Sequence, residues 1–366
     1  MNMIKALVLG VAVIFSSFAF SQGEEELTPE EKAYRDSIMR VNADNANIAA
    51  SQEAYNKGVE AFKKKDYKAA IGFYQTSIDK DPNFTAALYN KAVCEVELQK
   101  FKEAAATLTK MIELKPGYFK AYFQRGRAYQ GSGDYLSAEK DYQKAISINP
   151  SSFKAYYNFG TLKYLQNDFK GAIEMYDKSI ELNPKYAYAY NDRGSCKRNL
   201  GKFQEAVNDY EMAAKMNPKM AFALNNVGTT KKKMKDYEGA LEAFNRALSV
   251  DKNFKEAYSN RGSTNIAQNR YEDAKKDLEK CLEIDPKYIP AYSKLSCVYF
   301  NLEDYKKAEE MATKAINMDK NYANGYVNRG IARERLRNQA GACQDWKKAN
   351  ELGSDLGKQY YSNNCN

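Results

Sequence analysis

From residue 51 onward, small and apolar residues recur along the chain with a period of 34 residues. Within each period they form two stretches in which they lie three or four positions apart, as on one face of an α-helix. Polar pairs separate the two stretches, and Asn-Pro or Asp-Pro pairs follow the second stretch in several periods. The pattern therefore predicts an all-α chain with nine helical hairpins over residues 51–356.

The positions within one period divide into small and large residues. When each unit is numbered 1 to 34 from Ser51, position 20 is alanine in all nine units and position 8 is glycine in seven. Position 24 carries a bulky side chain in eight units. Small residues of one helix then meet large residues of the other, which allows close packing. A single hairpin cannot bury both of its faces, so neighbouring hairpins must stack.

The repeated unit resembles the tetratricopeptide repeat, which has an aromatic residue at position 4, Gly at 8, Ala at 20, an aromatic residue at 24 and Pro at 32. The resemblance covers residues 51–356. It implies a right-handed superhelix (an α-solenoid) in which the first helices line a concave groove that binds a protein or peptide. The chain departs from the family at position 11, where Glu95, Lys163, Lys197 and Lys231 stand in place of tyrosine.

The segments outside the repeats have predicted roles of their own. Lys5, an apolar run over residues 6–20 and small residues before Gln22 are typical of a secretory signal peptide over residues 1–21. The alternative is an uncleaved membrane anchor, but a membrane span needs about 20 apolar residues. We expect export, to the periplasm of a Gram-negative bacterium, and no membrane span after cleavage. Residues 22–50 are predicted to form an N-terminal cap, with a helix from about Pro29 toward Val41, and residues 357–366 a C-terminal cap.

Composition narrows the possible chemistry. The 366 residues include no histidine, which removes the commonest general base and zinc ligand. No catalytic constellation, metal site or cofactor motif is found, so we do not expect an enzyme. The net charge of +9 falls to about +8 when residues 1–21 are removed. For an exported protein this charge favours anionic envelope polymers over nucleic acid as charged neighbours.

Four units carry arginine at position 7, where the family usually has leucine. Each of these units also has aspartate 16 residues later, and no other unit has either residue. We predict four structural Arg–Asp ion pairs between the helices of a hairpin. The alternative is that the arginines recognise a carboxylate or phosphate of a ligand. The predicted pairs are Arg125–Asp141, Arg193–Asp209, Arg261–Asp277 and Arg329–Asp345.

The resemblance places positions 5 and 6 on the groove, and position 6 is mostly asparagine. A row of amides is suited to hydrogen bonding with the backbone of an extended peptide. The alternative is structural, because asparagine at position 6 is common in the family whatever the partner. The predicted groove residues are Asn90, Asn158, Asn191, Asp192, Asn225, Asn226, Asn260, Lys294 and Asn328.

Within this set, Asp192 is the acidic member and the strongest single candidate for ligand contact. The basic residues Arg198, Lys232 and Lys233 at positions 12 and 13 indicate an acidic peptide or anionic polymer as ligand. Their alternative role is that of solvated cations near the C-terminal end of a helix. The carboxylate clamp of chaperone-binding relatives is not complete in any unit.

Six cysteines in an exported chain call for a test of disulfide bonding. Cys343 begins the last second helix and Cys365 lies near the end of an antiparallel cap, so this pair is the predicted disulfide. Cys281 and Cys297, on consecutive helices, are a second candidate pair. Cys94 and Cys196 lie three repeats apart, too far for a bridge, and are expected to be free and buried.

Overall fold

The structure is a computed structural model that describes residues 29–365. The predicted signal peptide and residues 22–28 of the predicted N-terminal cap lie outside this range. The chain divides into two compact units, Met1–Pro116 and Gly117–Asn366. Residues 29–365 contain 19 α-helices and no strand, which confirms the predicted all-α fold of nine hairpins. None of these helices is both long enough and apolar enough to cross a membrane.

The described part of the first unit, residues 29–116, holds two hairpins. Its helices are α1 (Pro29–Lys63), α2 (Tyr67–Lys80), α3 (Thr85–Glu97) and α4 (Phe101–Leu114). The structure extends the predicted N-terminal cap helix without a break into the first repeat. No glycine or proline occurs between Pro29 and Gly58, so nothing in the sequence stops the helix. Residues 29–50 are largely exposed, and burial begins at Ser51, whose Oγ donates to the Ser77 carbonyl at 2.9 Å.

The second unit holds seven hairpins and a final helix. Its helices are α5 (Phe119–Ser132), α6 (Tyr135–Ile148), α7 (Phe153–Leu165), α8 (Phe169–Leu182), α9 (Ala187–Asn199), α10 (Phe203–Met216), α11 (Ala221–Lys233), α12 (Tyr237–Val250), α13 (Lys255–Ala267), α14 (Tyr271–Ile284), α15 (Ile289–Asn301), α16 (Tyr305–Met318), α17 (Ala323–Arg335), α18 (Gln339–Glu351) and α19 (Asp355–Asn364). In both units the odd-numbered helices up to α17 are the first helices of hairpins, and each packs on the second helix that follows it.

Each hairpin is closed by the small-against-large contact that the sequence indicates. All nine alanines at position 20 are fully buried. Side chains at position 24, such as Tyr142, Phe244 and Trp346, are also fully buried. The ring of Phe244 lies so close to Gly228 that a Cβ there would be 2.6 Å from Phe244 Cε1. Glycine at position 8 is therefore required by the ring that it faces.

The turn inside each hairpin has a fixed backbone form. Position 15 has a positive φ, between 57° and 83°, in all nine repeats, yet it is glycine only at Gly133 and Gly201. The next residue is aspartate or asparagine in six repeats, and its side chain accepts a hydrogen bond from the first turn of the second helix. These caps satisfy backbone N–H groups that the helix itself leaves unpaired.

The C-terminal helix is tied to the last hairpin. Cys343 and Cys365 form a disulfide with a Cα–Cα distance of 5.6 Å, and the Trp346 ring stacks on Tyr360 at 5.1 Å. Cys281 and Cys297 are free thiols, so the second candidate disulfide is not formed. Cys94 and Cys196 are free and buried, and burial raises the pKa of each to about 12, which keeps both thiols protonated.

Candidate functional site

The structure places each arginine of position 7 against the aspartate 16 residues later. Arg125 Nε and Nη2 donate to Asp141 Oδ2 and Oδ1 at 2.7 and 2.8 Å, and the other three pairs are also joined by both Nε and Nη2. The four aspartates are 3–5% exposed. The tyrosine of position 4 lies beside each guanidinium, 5.5–5.7 Å from ring centroid to Cζ. The arginines are therefore built into the hairpins.

Two of these arginines also join neighbouring repeats. Arg193 Nη1 donates to Asp177 on α8 at 2.6 Å, and Arg261 Nη1 donates to Asn245 on α12 at 2.6 Å. The Asp209 and Asp177 carboxylates, acting against the burial of Arg193, raise the pKa of its guanidinium above the ordinary value. These contacts favour the structural role of the arginines over ligand recognition.

In several repeats, position 11 holds a charged residue in an ion pair instead of the tyrosine of the family. Lys163 Nζ lies 2.9 Å from Glu139 Oε1, and Arg333 Nε lies 2.7 Å from Glu309 Oε1, each 24 residues earlier. Lys197 Nζ lies 2.8 Å from Asp209 Oδ2. The cations at this position are thus neutralised by carboxylates of the same or the preceding hairpin.

The row of amides at position 6 forms hydrogen bonds between repeats. Asn226 Nδ2 donates to Asn191 Oδ1, and Asn260 Nδ2 donates to Asn225 Oδ1, both at 3.0 Å. In each case the position-6 side chain contacts position 5 of the preceding repeat, 35 residues earlier. We call this set of contacts the inter-repeat ladder; its other members are Asn90–Tyr55 in the first unit and Asp192–Tyr157, Lys294–Ser259 and Asn328–Ser293 in the second.

In the ladder contact of Asp192, the position-6 side chain accepts the hydrogen bond instead of donating it. Its Oδ2 accepts from the Tyr157 hydroxyl at 2.7 Å and its Oδ1 from Asn191 Nδ2 at 2.9 Å. Burial raises the pKa of the Asp192 carboxyl, and the two hydrogen bonds oppose that shift. Both carboxylate oxygens are therefore used within the protein, and we assign Asp192 to the contacts between repeats rather than to a free position in the groove.

Asn158 occupies position 6 but does not take part in the ladder. The residue 35 positions earlier is Phe123, which offers no polar atom, and Asn158 Nδ2 donates instead to the Lys154 carbonyl of its own helix at 2.8 Å. The signal that identifies the ladder is the pairing of polar residues at positions 5 and 6 across a 35-residue separation.

The ladder predicts a stability difference between two similar substitutions. Asn226→Ala removes the donor to Asn191, which is 7% exposed, and should lower the free energy of unfolding by ~1–2 kcal/mol. Asn158→Ala is the matched control and should change it by less than ~0.5 kcal/mol, because its hydrogen bond lies within one helix at an exposed site. Urea denaturation of both variants measures the difference, and equal losses would contradict the structural role of the ladder.

A second group of cations on the first helices is not neutralised. Among residues 29–365, no carboxylate oxygen lies within 4.0 Å of the side-chain nitrogens of Arg198, Lys232, Lys233 or Lys294. Lys232 Nζ instead donates to Ser263 Oγ at 2.6 Å, and Lys294 Nζ to Ser259 Oγ at 2.7 Å. Burial lowers the pKa of both lysines, that of Lys294 to about 8 with a further contribution from the Lys232 charge.

Two exposed rings lie near the start of the same helices. Tyr188 on α9 is 45% exposed and Phe222 on α11 is 39% exposed, with ring centroids 6.3 Å apart. Both occupy position 2, which the resemblance places on the groove. In the described part of the chain, no group of three or more Cys, Asp or Glu side chains is arranged to hold a metal ion. The groove-facing positions of α9–α15 thus combine exposed aromatic rings with unneutralised cations.

Three family models described as "Tetratricopeptide repeat" match the chain. They match residues 119–152, 187–220 and 256–288, residues 61–128, and residues 153–186, 223–254 and 289–322. Together these matches cover residues 61–322 almost without a gap. A search of curated proteins gives no significant match.

Several solved structures are similar to this one. A tetratricopeptide repeat protein from Parabacteroides merdae is 21% identical with a TM-score of 0.54, covering 68% of this chain and 99% of its own. The C-terminal part of a TPR repeat-containing protein from Cytophaga hutchinsonii is 20% identical with a TM-score of 0.54, covering 66% and 98%. The Cut9–Hcn1 hetero-tetramer of APC/C is 12% identical with a TM-score of 0.53, covering 86% and 76%. At these identities the similarity concerns the fold alone.

Proposed function

Because the chain belongs to the tetratricopeptide repeat family, whose members are generally non-enzymatic interaction scaffolds, we propose that it is an exported scaffold that binds a protein or peptide partner along its first helices. One observation carries this proposal: on α9–α15 the groove-facing positions leave aromatic rings exposed and cations without carboxylates, whereas the cations of position 11 are paired. Surface groups with unused binding capacity are typical of interaction sites.

Export rests on the sequence of residues 1–21 and has independent support from the C-terminus. Disulfides persist in oxidising compartments such as the bacterial periplasm and are rare in the cytosol. The Cys343–Cys365 pair therefore favours a periplasmic location in a Gram-negative bacterium. The three buried thiols, Cys94, Cys196 and Cys281, are compatible with such a compartment because they are inaccessible to oxidants.

A second candidate ligand is an anionic glycan of the cell envelope. The unneutralised cations Arg198, Lys232, Lys233 and Lys294 favour it, since uronic acid or phosphate groups would supply the missing negative charge. Such binding would weaken strongly with salt, whereas contacts through Tyr188 and Phe222 would persist. Binding that persists at high salt would therefore favour the protein partner.

Site-specific photocrosslinking tests the proposal. A benzophenone amino acid at Tyr188, in the groove, should yield a discrete protein adduct in the native host. The same group at Leu136, which is 75% exposed on the second helix α6, is the control and should yield none.

Mass spectrometry of the purified protein should give a mature N-terminus at Gln22. Equal adducts from both positions, or recovery of polysaccharide without protein, would contradict the proposed partner class, and an intact N-terminus would contradict cleavage.

A further inference from the structure

Two ammonium groups approach one helix of the second unit from opposite sides. The first helix α13 carries Ser259 and Ser263, which are four residues apart and therefore separated by about one helical turn, ~6 Å. Lys294 of α15 donates to the Ser259 hydroxyl at 2.7 Å and to the Ser259 carbonyl at 3.2 Å. Lys232 of α11 donates to the Ser263 hydroxyl at 2.6 Å. The two ammonium groups are thus anchored to serines one helical turn apart on α13, close enough for the Lys232 charge to act on Lys294.

These charges lack the compensation that other partly buried cations of the chain have. Lys197 and Lys231 occupy position 11. Their Nζ atoms lie 2.8 and 3.6 Å from carboxylate oxygens of Asp209 and Asp236. No carboxylate in residues 29–365 lies within 4.0 Å of Lys232 or Lys294. An ammonium group has three N–H donors, of which Lys232 uses one and Lys294 two. Two like charges that are partly buried near each other are unfavourable, and a bound anion would offset both their repulsion and their loss of hydration.

We propose that Lys232 and Lys294 form a subsite for a carboxylate side chain of an acidic peptide. The proposal rests on the proposed function, because it requires a partner in the groove. Because both ammonium groups are anchored on one turn of α13 and keep unused N–H donors, one carboxylate is suited to accept from both, one through each oxygen. The serine hydroxyls of Ser259 and Ser263 hold the lysine side chains in place before the ligand binds.

A peptide fits this surface because an amide donor, Asn225, and an exposed apolar ring, Phe222, lie on the same helix as Lys232. Phe222 and Lys232 lie ten residues apart on α11, a distance of ~15 Å along the helix. An extended peptide covers this distance with four to five residues. Between them, Asn225 can offer its Nδ2 group to a peptide carbonyl, since its Oδ1 is the atom that the ladder uses. The expected ligand carries an acidic residue four to five positions from an apolar one.

Calorimetric titration of the purified chain with acetylated and amidated hexaglutamate tests the subsite, with hexaglutamine as the uncharged probe. Hexaglutamate should bind and hexaglutamine should not. The double variant K232M/K294M should weaken hexaglutamate binding at least about ten-fold, because two charge-assisted hydrogen bonds are lost. The control K276M/K314M removes two lysines of second helices and the same net charge, and should change the affinity less than about two-fold.

Each alternative outcome has a defined meaning. Equal weakening in both double variants would show diffuse attraction and would overturn the subsite, as would the absence of hexaglutamate binding. Tighter binding of a galacturonate oligomer of equal charge would overturn the peptide assignment. The melting temperature of K232M/K294M should equal or exceed that of the parent, since the two partly buried ammonium groups without a carboxylate partner are then removed. If the subsite fails while crosslinking from Tyr188 still captures a protein, the proposed function stands without it.

Discussion

Asp141→Ala should lower the free energy of unfolding by ~3–5 kcal/mol. Asp141 is 5% exposed and accepts two hydrogen bonds from Arg125, whose side chain is 16% exposed. Removing Asp141 takes away both of these acceptors while the Arg125 guanidinium stays partly buried, which is more unfavourable than removing both partners. Urea denaturation followed by circular dichroism measures the loss.

The chain supplies its own control for this prediction. Counted from the unit that begins at Ser51, repeat 8 covers residues 289–322. It has Leu295 at position 7 and Met311 at position 23, and both belong to one apolar cluster. The double variant R125L/D141M transfers this pair to repeat 3 and should lose less than ~1.5 kcal/mol, because no charge remains unpaired. It should also bind hexaglutamate as the parent does. If the double variant lost that binding but kept its stability, Arg125 would be a ligand-binding residue.

Gly228→Ala should lower the free energy of unfolding by ~2 kcal/mol, although alanine is the better helix former. The added Cβ would lie 2.6 Å from the fully buried ring of Phe244, so the ring or the helix must move. Overpacking of this kind typically costs about 1–3 kcal/mol. Urea denaturation of the single variant measures the effect.

The sign of this effect should reverse when the ring is absent. In repeat 2, Ala92 stands at position 8 and Leu108 at position 24, and both are fully or almost fully buried. Phe244→Leu gives repeat 6 the same large residue. In that background Gly228→Ala should leave stability unchanged or raise it, because the space is available and the helix gains propensity. A loss of ~2 kcal/mol in both backgrounds would mean that the Phe244 ring is not what requires glycine.

The sequence predicts the hairpins well because their determinants are local and repeated. Alanine at position 20 and the glycine–aromatic pair at positions 8 and 24 recur in one frame, so each repeat tests the interpretation of the others. The Arg–Asp pairs can be read in the same way, since both partners belong to one repeat and are always 16 residues apart. The disulfide could be proposed because an antiparallel cap returns Cys365 to Cys343.

The inter-repeat ladder is harder to predict from the sequence because the two partners of each hydrogen bond belong to different repeats. Asn226 and Asp192 look equivalent in a list of position-6 residues, yet one donates to an amide and the other accepts from a phenol. Which role a residue takes depends on the side chain 35 residues earlier. The sequence predicts a cap helix only from about Pro29 toward Val41, whereas α1 continues to Lys63. Glycine and proline mark where a helix ends, but no residue type marks that a helix continues. The ion pairs of position 11 are hard to predict for the same reason, because their acidic partners lie in other helices.

The left-handed residue in each hairpin turn offers a way to adjust stability without altering the groove. In seven repeats this residue has a side chain, as at Lys235 and Glu303, and a left-handed conformation costs most residues about 1–2 kcal/mol relative to glycine. The turns lie about two helical turns beyond the groove positions 5 and 6. Glycine at these sites would let the scaffold tolerate destabilising substitutions in the groove, so that binding could be mapped in proteins that remain folded.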